Sequence, residues 1–409
     1  MRYPILIVLT VSMTAFGAWE AVGPYGGDAR SAVVSYINDN IVYVTSNNSP
    51  TNVAKSTNGG INWTTVGSIA NQAYCLAIDP TNNNKLYAGS GHVIYRTTDG
   101  GVNWASTSMS NKYIYGIIDI PGTPATVYAS GMSWDGAKWV MAFFKSTDSG
   151  VSWSTTTLNT VQGQCNCIAV DRLNPLTAYV GGYWSDSLGT YPAVFKTTNG
   201  GTNWTDITGT IPSGAYYIYS LAVHPTNSSI VYAGTYLSGI YRSTDGGSSW
   251  TQTSTNYYNY SMATSIATPD EAFAGGYNEI YKTTNAGASW FSVNTGLAGY
   301  GFYGLAVSQS SSSRVYAADN NGVFKTTSGG TSWSNTNNNL NLGSICSFAA
   351  APSSPSTMYT SFEAIGVFKT TNNGTDWAQV PTPVGCGNIC EFAVNNTNPN
   401  IVYALEGSG

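Results

Sequence analysis

The segment Ser56-Thr57-Asn58-Gly59-Gly60-Ile61-Asn62-Trp63 states a short rule: Ser or Thr, any residue, Asp or Asn, any residue, Gly, any two residues, Trp. The rule is met again and again along the 409 residues. Its Trp recurs at Trp104, Trp153, Trp204, Trp250, Trp290, Trp333 and Trp377, at spacings of 41, 49, 51, 46, 40, 43 and 44 residues. Only one copy departs at the acidic or amide position, where Ser328 stands. A period of this length marks a repeat architecture in which each unit buries its apolar face against its neighbours.

Two further phrases keep the same phase. Leu76-Ala77-Ile78-Asp79-Pro80 followed by Leu86-Tyr87-Ala88-Gly89 returns as Leu221-Ala222-Val223-His224-Pro225 with Val231-Tyr232-Ala233-Gly234. A run ending in a basic residue precedes each box, as in Ile94-Tyr95-Arg96, Val194-Phe195-Lys196 and Val323-Phe324-Lys325. Each unit thus offers four short apolar runs separated by Gly, Asn, Pro and Ser turns, which read as strands. Four strands per unit of this length predict an all-β fold, a β-propeller of four-stranded blades. The box itself reads as a turn between third and fourth strands. Its Asp or Asn accepts backbone N–H bonds, its Gly takes a left-handed conformation, and its Trp buries a large ring.

These boxes resemble the Asp-boxes of the bacterial neuraminidase (BNR) repeat family. With the Val-Tyr-Ala-Gly phrase, the chain looks most like sortilin-like propellers and photosystem II assembly-factor-like proteins. The resemblance implies the propeller and leaves function open, because the wider superfamily holds sialidases, xyloglucanases, sorting receptors and binding proteins. A sialidase needs three arginines for a carboxylate. Of six arginines here, Arg2 lies in the leader, Arg96 and Arg242 fill the repeated basic position, and Arg30, Arg172 and Arg314 remain. A xyloglucanase-type Asp-Val-Gly-Gly segment would fall at Thr45-Ser46-Asn47-Asn48-Ser49-Pro50, which has no carboxylate.

Composition narrows the function classes. Charged residues are 9% and the formal net charge is −5 with no basic block, so sequence-independent nucleic-acid binding is not expected. Arg2, the apolar run from Ile5 to Ala15, and small residues Ala15 and Gly17 before Ala18 read as a signal peptide over 1–17. The expectation is a secreted, extracytoplasmic protein that does not span a membrane, with the propeller over 18–409. Two histidines, His92 and His224, and six scattered cysteines supply no metal-site spacing and no cofactor motif. Cys346 and Cys390 take equivalent places before Phe348-Ala349 and Phe392-Ala393, and neighbouring blades could bring them within disulfide reach.

Counting units gives eight complete repeats plus a partial ninth blade. Trp19-Glu20-Ala21-Val22 reads as a fourth strand, expected to pair in the blade containing Ile401 to Ala404 and so to close one large ring. The ending at Glu406-Gly407-Ser408-Gly409 suggests C-terminal truncation; a ninth blade of three strands, an open arc and two smaller rings in tandem are the alternatives.

Three tryptophans are left over by the boxes and Trp19: Trp134, Trp139 and Trp184. All lie in long second-to-third-strand loops of adjacent units, on the face opposite the boxes. With Lys138 and Tyr191 they form the candidate ligand-binding set for a glycan or an extracellular protein, since flat rings beside polar groups suit stacking on either. The competing assignment is that the indoles only pack their own loops. A glycoside hydrolase is the alternative function, and Asp135 with Asp186 is the carboxylate pair nominated for it.

Overall fold

The computed structural model describes residues 29–409 except 124, 257, 298, 300, 320–321, 337–344, 352–353, 363–365, 373–377, 381–388, 395–397, 399, 401 and 407–409; for most strand residues after 344 it describes the backbone alone. The architecture is all-β, built of antiparallel sheets arranged as a β-propeller. Blades 1 (29–69), 2 (75–108), 5 (218–254), 6 (261–292) and 7 (304–335) are separate four-stranded sheets, each in simple sequential order. Blades 3 (112–157) and 4 (162–206) are fused into one seven-stranded sheet. The strand Ser154–Val170, 17 residues long, is the last of blade 3 and the first of blade 4. A further four-stranded sheet spans Ile345 to Val380, and two strands, Ile389–Val394 and Val402–Glu406, pack beside it.

Each box folds as its residue types require. The Ser or Thr hydroxyl accepts the N–H of the Gly four residues on, as in Gly60 N to Ser56 Oγ at 2.8 Å and Gly247 N to Ser243 Oγ at 2.7 Å. The Asp or Asn carboxyl or amide oxygen accepts an N–H two residues further, as in Asn62 to Asn58 and Ser249 to Asp245, both 2.9 Å. In the deviant copy the Ser328 hydroxyl accepts the same N–H from Ser332 at 3.1 Å, so the turn survives the substitution. Every described box turn also bonds back to the first-to-second-strand turn of its own blade, as Gly100 N does to Asn84 O at 2.9 Å. Box turns and first-to-second-strand turns therefore share one face.

The basic residue before the box links neighbours. Its cation sits over the buried aromatic ring of its own second strand, as Lys145 over Tyr128 and Lys196 over Tyr179. It donates onward to a box carbonyl of the next blade: Lys145 to Gly200 O at 2.9 Å, Lys196 to Gly246 O at 2.8 Å, Arg96 to Gly150 O at 3.3 Å. The box indole reaches the other way. Trp250 donates to Ile207 O at 2.8 Å and Trp333 to Val293 O at 2.7 Å, in each case the residue three after the preceding box Trp.

Both rules recur between the last and first blades of the ring. Lys325 donates to Gly59 O, and Trp63 donates to Thr336 O. Arg314 adds an ion pair to Asp39 at 3.6 Å, and one apolar cluster joins Ala29, Val44 and Trp63 to Tyr316 and Val323. The ring thus closes after seven blades. This corrects the expectation of a single large ring closed through the ninth unit: the seam contacts join blade 7 to blade 1, and no described residue after 344 is among those that line the axial channel. Trp19, Ile401, Trp377 and Cys386 lie outside the described residues, as do the side chains of Cys346 and Cys390.

A second correction concerns the box indoles. Trp63, Trp250 and Trp333 are buried, whereas Trp104, Trp153, Trp204 and Trp290 are half-buried. Trp104 and Trp153 bond within their own turns, to Gly101 O and Gly150 O. Cys75, Cys165 and Cys167 are free thiols; burial pushes the thiols of Cys75 and Cys165 up to about 12.

Candidate ligand-binding face

The face opposite the box turns is where first strands begin and where second-to-third-strand loops turn. Both long hairpins predicted from the extra tryptophans are there. In blade 3 the strand Val127–Trp134 pairs with Trp139–Ser146, ending in the cross-strand pair Trp134/Trp139. In blade 4 Ala178–Ser185 pairs with Thr190–Thr197, and Trp184 lies opposite Tyr191. The fused sheet brings the hairpins side by side: Gln162 is partnered with Val140 on one side and Ser185 on the other.

Asp135 and Asp186 are both exposed and occupy matching places at the tips. Each carboxylate caps its own turn. Asp135 Oδ1 accepts from the N–H groups of Ala137 and Lys138 at 2.8 and 2.9 Å, and Asp186 Oδ1 from Leu188 and Gly189 at 2.8 and 3.1 Å. Those N–H bonds, with the Lys138 charge as a smaller contribution, hold the Asp135 carboxyl below the usual range. A carboxylate so held is a poor general acid, since it stays ionised at neutral pH.

The rings do more than cap. Trp134 is 41% exposed and meets Trp139 edge-on, with centroids 5.5 Å apart. Trp139 continues to Tyr113 at 5.0 Å, whose ring lies 4.1 Å from His92. Trp184 stacks on Tyr191 at 4.4 Å and also packs on the core cluster containing Val180 and Ala193. Lys138 is half-buried at the blade 3 tip. Trp134 is therefore a surface ring, while Trp184 is shared between surface and core.

The tyrosines of the blade-to-blade connections, Tyr113, Tyr115, Tyr217, Tyr219, Tyr260 and Tyr303 among them, are legible in the sequence as a second aromatic cluster on this face; Tyr74, Tyr183 and Arg30 are what sequence reasoning missed. An arc of phenols runs from blade 4 to blade 7: Tyr183 meets Tyr217 at 4.7 Å, Tyr217 meets Tyr219 at 5.8 Å, Tyr219 meets Tyr260 at 5.4 Å, and Tyr260 meets Tyr303 at 4.9 Å. Arg30 ends the arc, its guanidinium 4.6 Å from the centroid of Tyr303. On the other side Tyr74 and Tyr115 are 5.5 Å apart. The signal was present in the repeat. Tyr74, Tyr219 and Tyr303 each stand two residues before the Leu of the first-strand phrase, and Tyr115 and Tyr260 hold the same register. In blades 1 and 4 that place belongs to Arg30 and Asn166. Burial first, then neighbouring phenols, push Tyr115 and Tyr219 up to about 12 and also raise Tyr260. These hydroxyls stay neutral and can both donate and accept.

Below this ring the channel is walled by apolar residues such as Leu76, Ile117, Leu221 and Leu305. Towards the box face its lining changes to Tyr36, Asp119, Arg172 and Gln309. Arg172 donates to Gln309 Oε1 at 2.8 Å, tying blade 4 to blade 7, and lies over the Tyr36 ring. Burial raises the Asp119 carboxyl to about 6, with the Lys85 ammonium 3.5 Å away opposing the rise. Among the described residues no three His, Cys, Asp or Glu side chains are grouped so as to hold a metal ion, and no helix is long and apolar enough to cross a membrane.

The chain matches no family model and no curated protein. Its fold is similar to that of an ancestral GH74 enzyme, at a TM-score of 0.74 and 20% identity over 97% of this chain and 60% of that one. It is also similar to the GH74 xyloglucanase from Xanthomonas campestris, at 0.65 and 11% over 92% of this chain and 71% of that one. YCF48 bound to D1 peptide matches at 0.52 and 13% over 76% of this chain and 97% of that one. The chain spans about 60% of the length of the ancestral GH74 enzyme. At these identities the likeness establishes the propeller fold alone.

Proposed function

We propose that this is a secreted, Asp-box-type propeller that binds a glycan chain across the face opposite its box turns. The carrying observation is the juxtaposition of the Trp134/Trp139 and Trp184/Tyr191 pairs in one fused sheet. Two aromatic pairs in neighbouring hairpins, one edge-on and one stacked, offer ring faces to two sugar rings of one chain, because pyranose faces stack on aromatic faces while their rim hydroxyls reach nearby polar groups. The propeller fold is shared with a xyloglucanase and with a peptide-bound propeller alike, so the choice of a carbohydrate rests on the aromatic pairs. Binding without hydrolysis is favoured because Asp135 and Asp186 are each engaged by their own turn.

The test is calorimetric titration with xyloglucan oligosaccharides, followed by an assay for new reducing ends. Saturable binding with no reducing ends supports the reading. New reducing ends would move the protein to the glycoside hydrolases. Absence of binding to any oligosaccharide, with retained binding to an extended peptide, would place it with protein-binding propellers.

A further inference from the structure

The open end of the axial channel is a separate cavity from the hairpin platform. It encloses about 650 Å³, within the range that holds a small ligand group. Its lining is unusual in charge: among the described residues that line it, Arg30 is the one ionised side chain and none is a carboxylate. No ion pair or hydrogen bond engages the Arg30 guanidinium among the described residues, in a chain of net charge −5. The guanidinium lies over the face of Tyr303, 4.6 Å from its centroid. Stacking on a ring face fixes the guanidinium plane and leaves its in-plane N–H groups directed outward, the geometry that grips a carboxylate with two parallel bonds.

The rest of the cavity suits a sugar. Tyr74, Tyr115, Tyr219 and Tyr260 offer ring faces and neutral hydroxyls, and Asn166 adds an amide in the same register. Past the apolar walls the far end of the channel reaches Tyr36, Asp119, Arg172 and Gln309 and is crossed there by the Arg172–Gln309 bond. A group entering from the aromatic face therefore meets a dead end. This geometry suits the terminus of a chain and excludes its middle.

We infer that this funnel binds the carboxylate-bearing terminal residue of an acidic glycan, a uronic acid, with Arg30 pairing the carboxylate and the tyrosines holding the sugar ring. The inference rests on the glycan reading and goes beyond it by naming the charge and the chain end that are recognised. It also gives the two sites different work: hairpin tryptophans stack on successive rings, and the funnel reads the end.

The experiment compares trigalacturonic acid with its fully methyl-esterified form, which keeps shape and loses charge, and includes a neutral xyloglucan heptasaccharide. The full chain is titrated with each probe, as are the R30Q, R30K and W134A variants, with melting temperatures recorded. The expected result is at least tenfold tighter binding of the acid than of its ester. R30Q should remove that preference and R30K should keep part of it. W134A should weaken all three probes. Equal affinity for acid and ester, or a preference that survives in R30Q, overturns the funnel assignment while neutral binding keeps the glycan reading standing. Failure of every oligosaccharide overturns both. Binding of a peptide with a free C-terminal carboxylate but not of its amide, lost in R30Q, would overturn the uronate assignment in favour of a protein ligand. Should R30Q melt early, R30K and the salt dependence of acid binding still decide the matter.

Discussion

The indole of Trp63 donates to the carbonyl of Thr336 at 2.6 Å, across 273 residues of chain. The same bond joins Trp250 to Ile207 and Trp333 to Val293 between sequential neighbours. The seam is thus built from the ordinary inter-blade contact, with no exchanged strand among the described residues. W63F leaves the buried Thr336 carbonyl without its donor and should lower unfolding stability by about 1–3 kcal/mol. W104F removes a bond within a half-buried turn and should cost less. Urea titrations of both variants check this; equal losses would mean that the seam bond carries no special weight.

The first Gly of the box takes a left-handed backbone, with φ of 67° at Gly59 and 70° at Gly246. In blade 6 that place is Ala286, at φ 53°. A side chain there is strained, so A286G should stabilise the protein by about 0.5–1 kcal/mol, the relief exceeding the added freedom of the unfolded chain. Thermal melts read the shift directly. A loss of stability would show that the Ala286 methyl, which packs in the blade 5–6 core, outweighs the strain.

Asp119 governs a pH dependence of definite sign. Its folded value near 6 lies above the unfolded value of about 3.9. The folded state therefore holds the proton more tightly, and the contribution is most favourable below about pH 4 and is lost as pH rises through 6. D119N removes the titration. It should match the parent near pH 4 and exceed it at pH 8 by an amount on the order of 2 kcal/mol. Stability curves at the two pH values separate this from Asp79, whose Lys85 partner holds its carboxyl low and which acts in the opposite sense.

The hairpin and box tryptophans should part company. W134A should weaken glycan binding by about 1–3 kcal/mol with little change in melting, because Trp134 lies largely at the surface. W184A should lose binding and some stability together, since its indole also lies on the core. W250A should cost about 3–5 kcal/mol of stability while leaving the face chemically intact. Paired titrations and melts sort the three; an early melt for W134A would make it a packing residue.

The repeat made the blades legible because each box encodes its own turn: Ser56, Asn58 and Gly60 bond to one another within a few residues. Closure was not legible, because Lys325 reaches Gly59 with the same chemistry by which Lys145 reaches Gly200. Nothing in those residues says which neighbour is next in sequence and which completes a circle. Trp134 and Trp184 stood out because they broke the period. Tyr219, Tyr260 and Tyr303 were legible as aromatics of the blade-to-blade connections, whereas Tyr74 was hidden by keeping the period, since a tyrosine just before a strand reads as core. Arg30 stood in the same register as these tyrosines, and only the circle of blades brought it against Tyr303.

The strand Ser154–Val170 sets blades 3 and 4 apart from every other neighbouring pair. Elsewhere in the ring, blades meet through side chains and a few isolated main-chain bonds, such as Ile114 N to Gly91 O at 3.1 Å and Phe302 N to Gly276 O at 2.9 Å. Here one strand is hydrogen-bonded to both blades, through a main-chain ladder interrupted by a bulge on each side. The distance between the two hairpin tips is consequently a property of the backbone. Sequence drift can change what the tips offer to a ligand, but the interval at which they offer it is inherited intact.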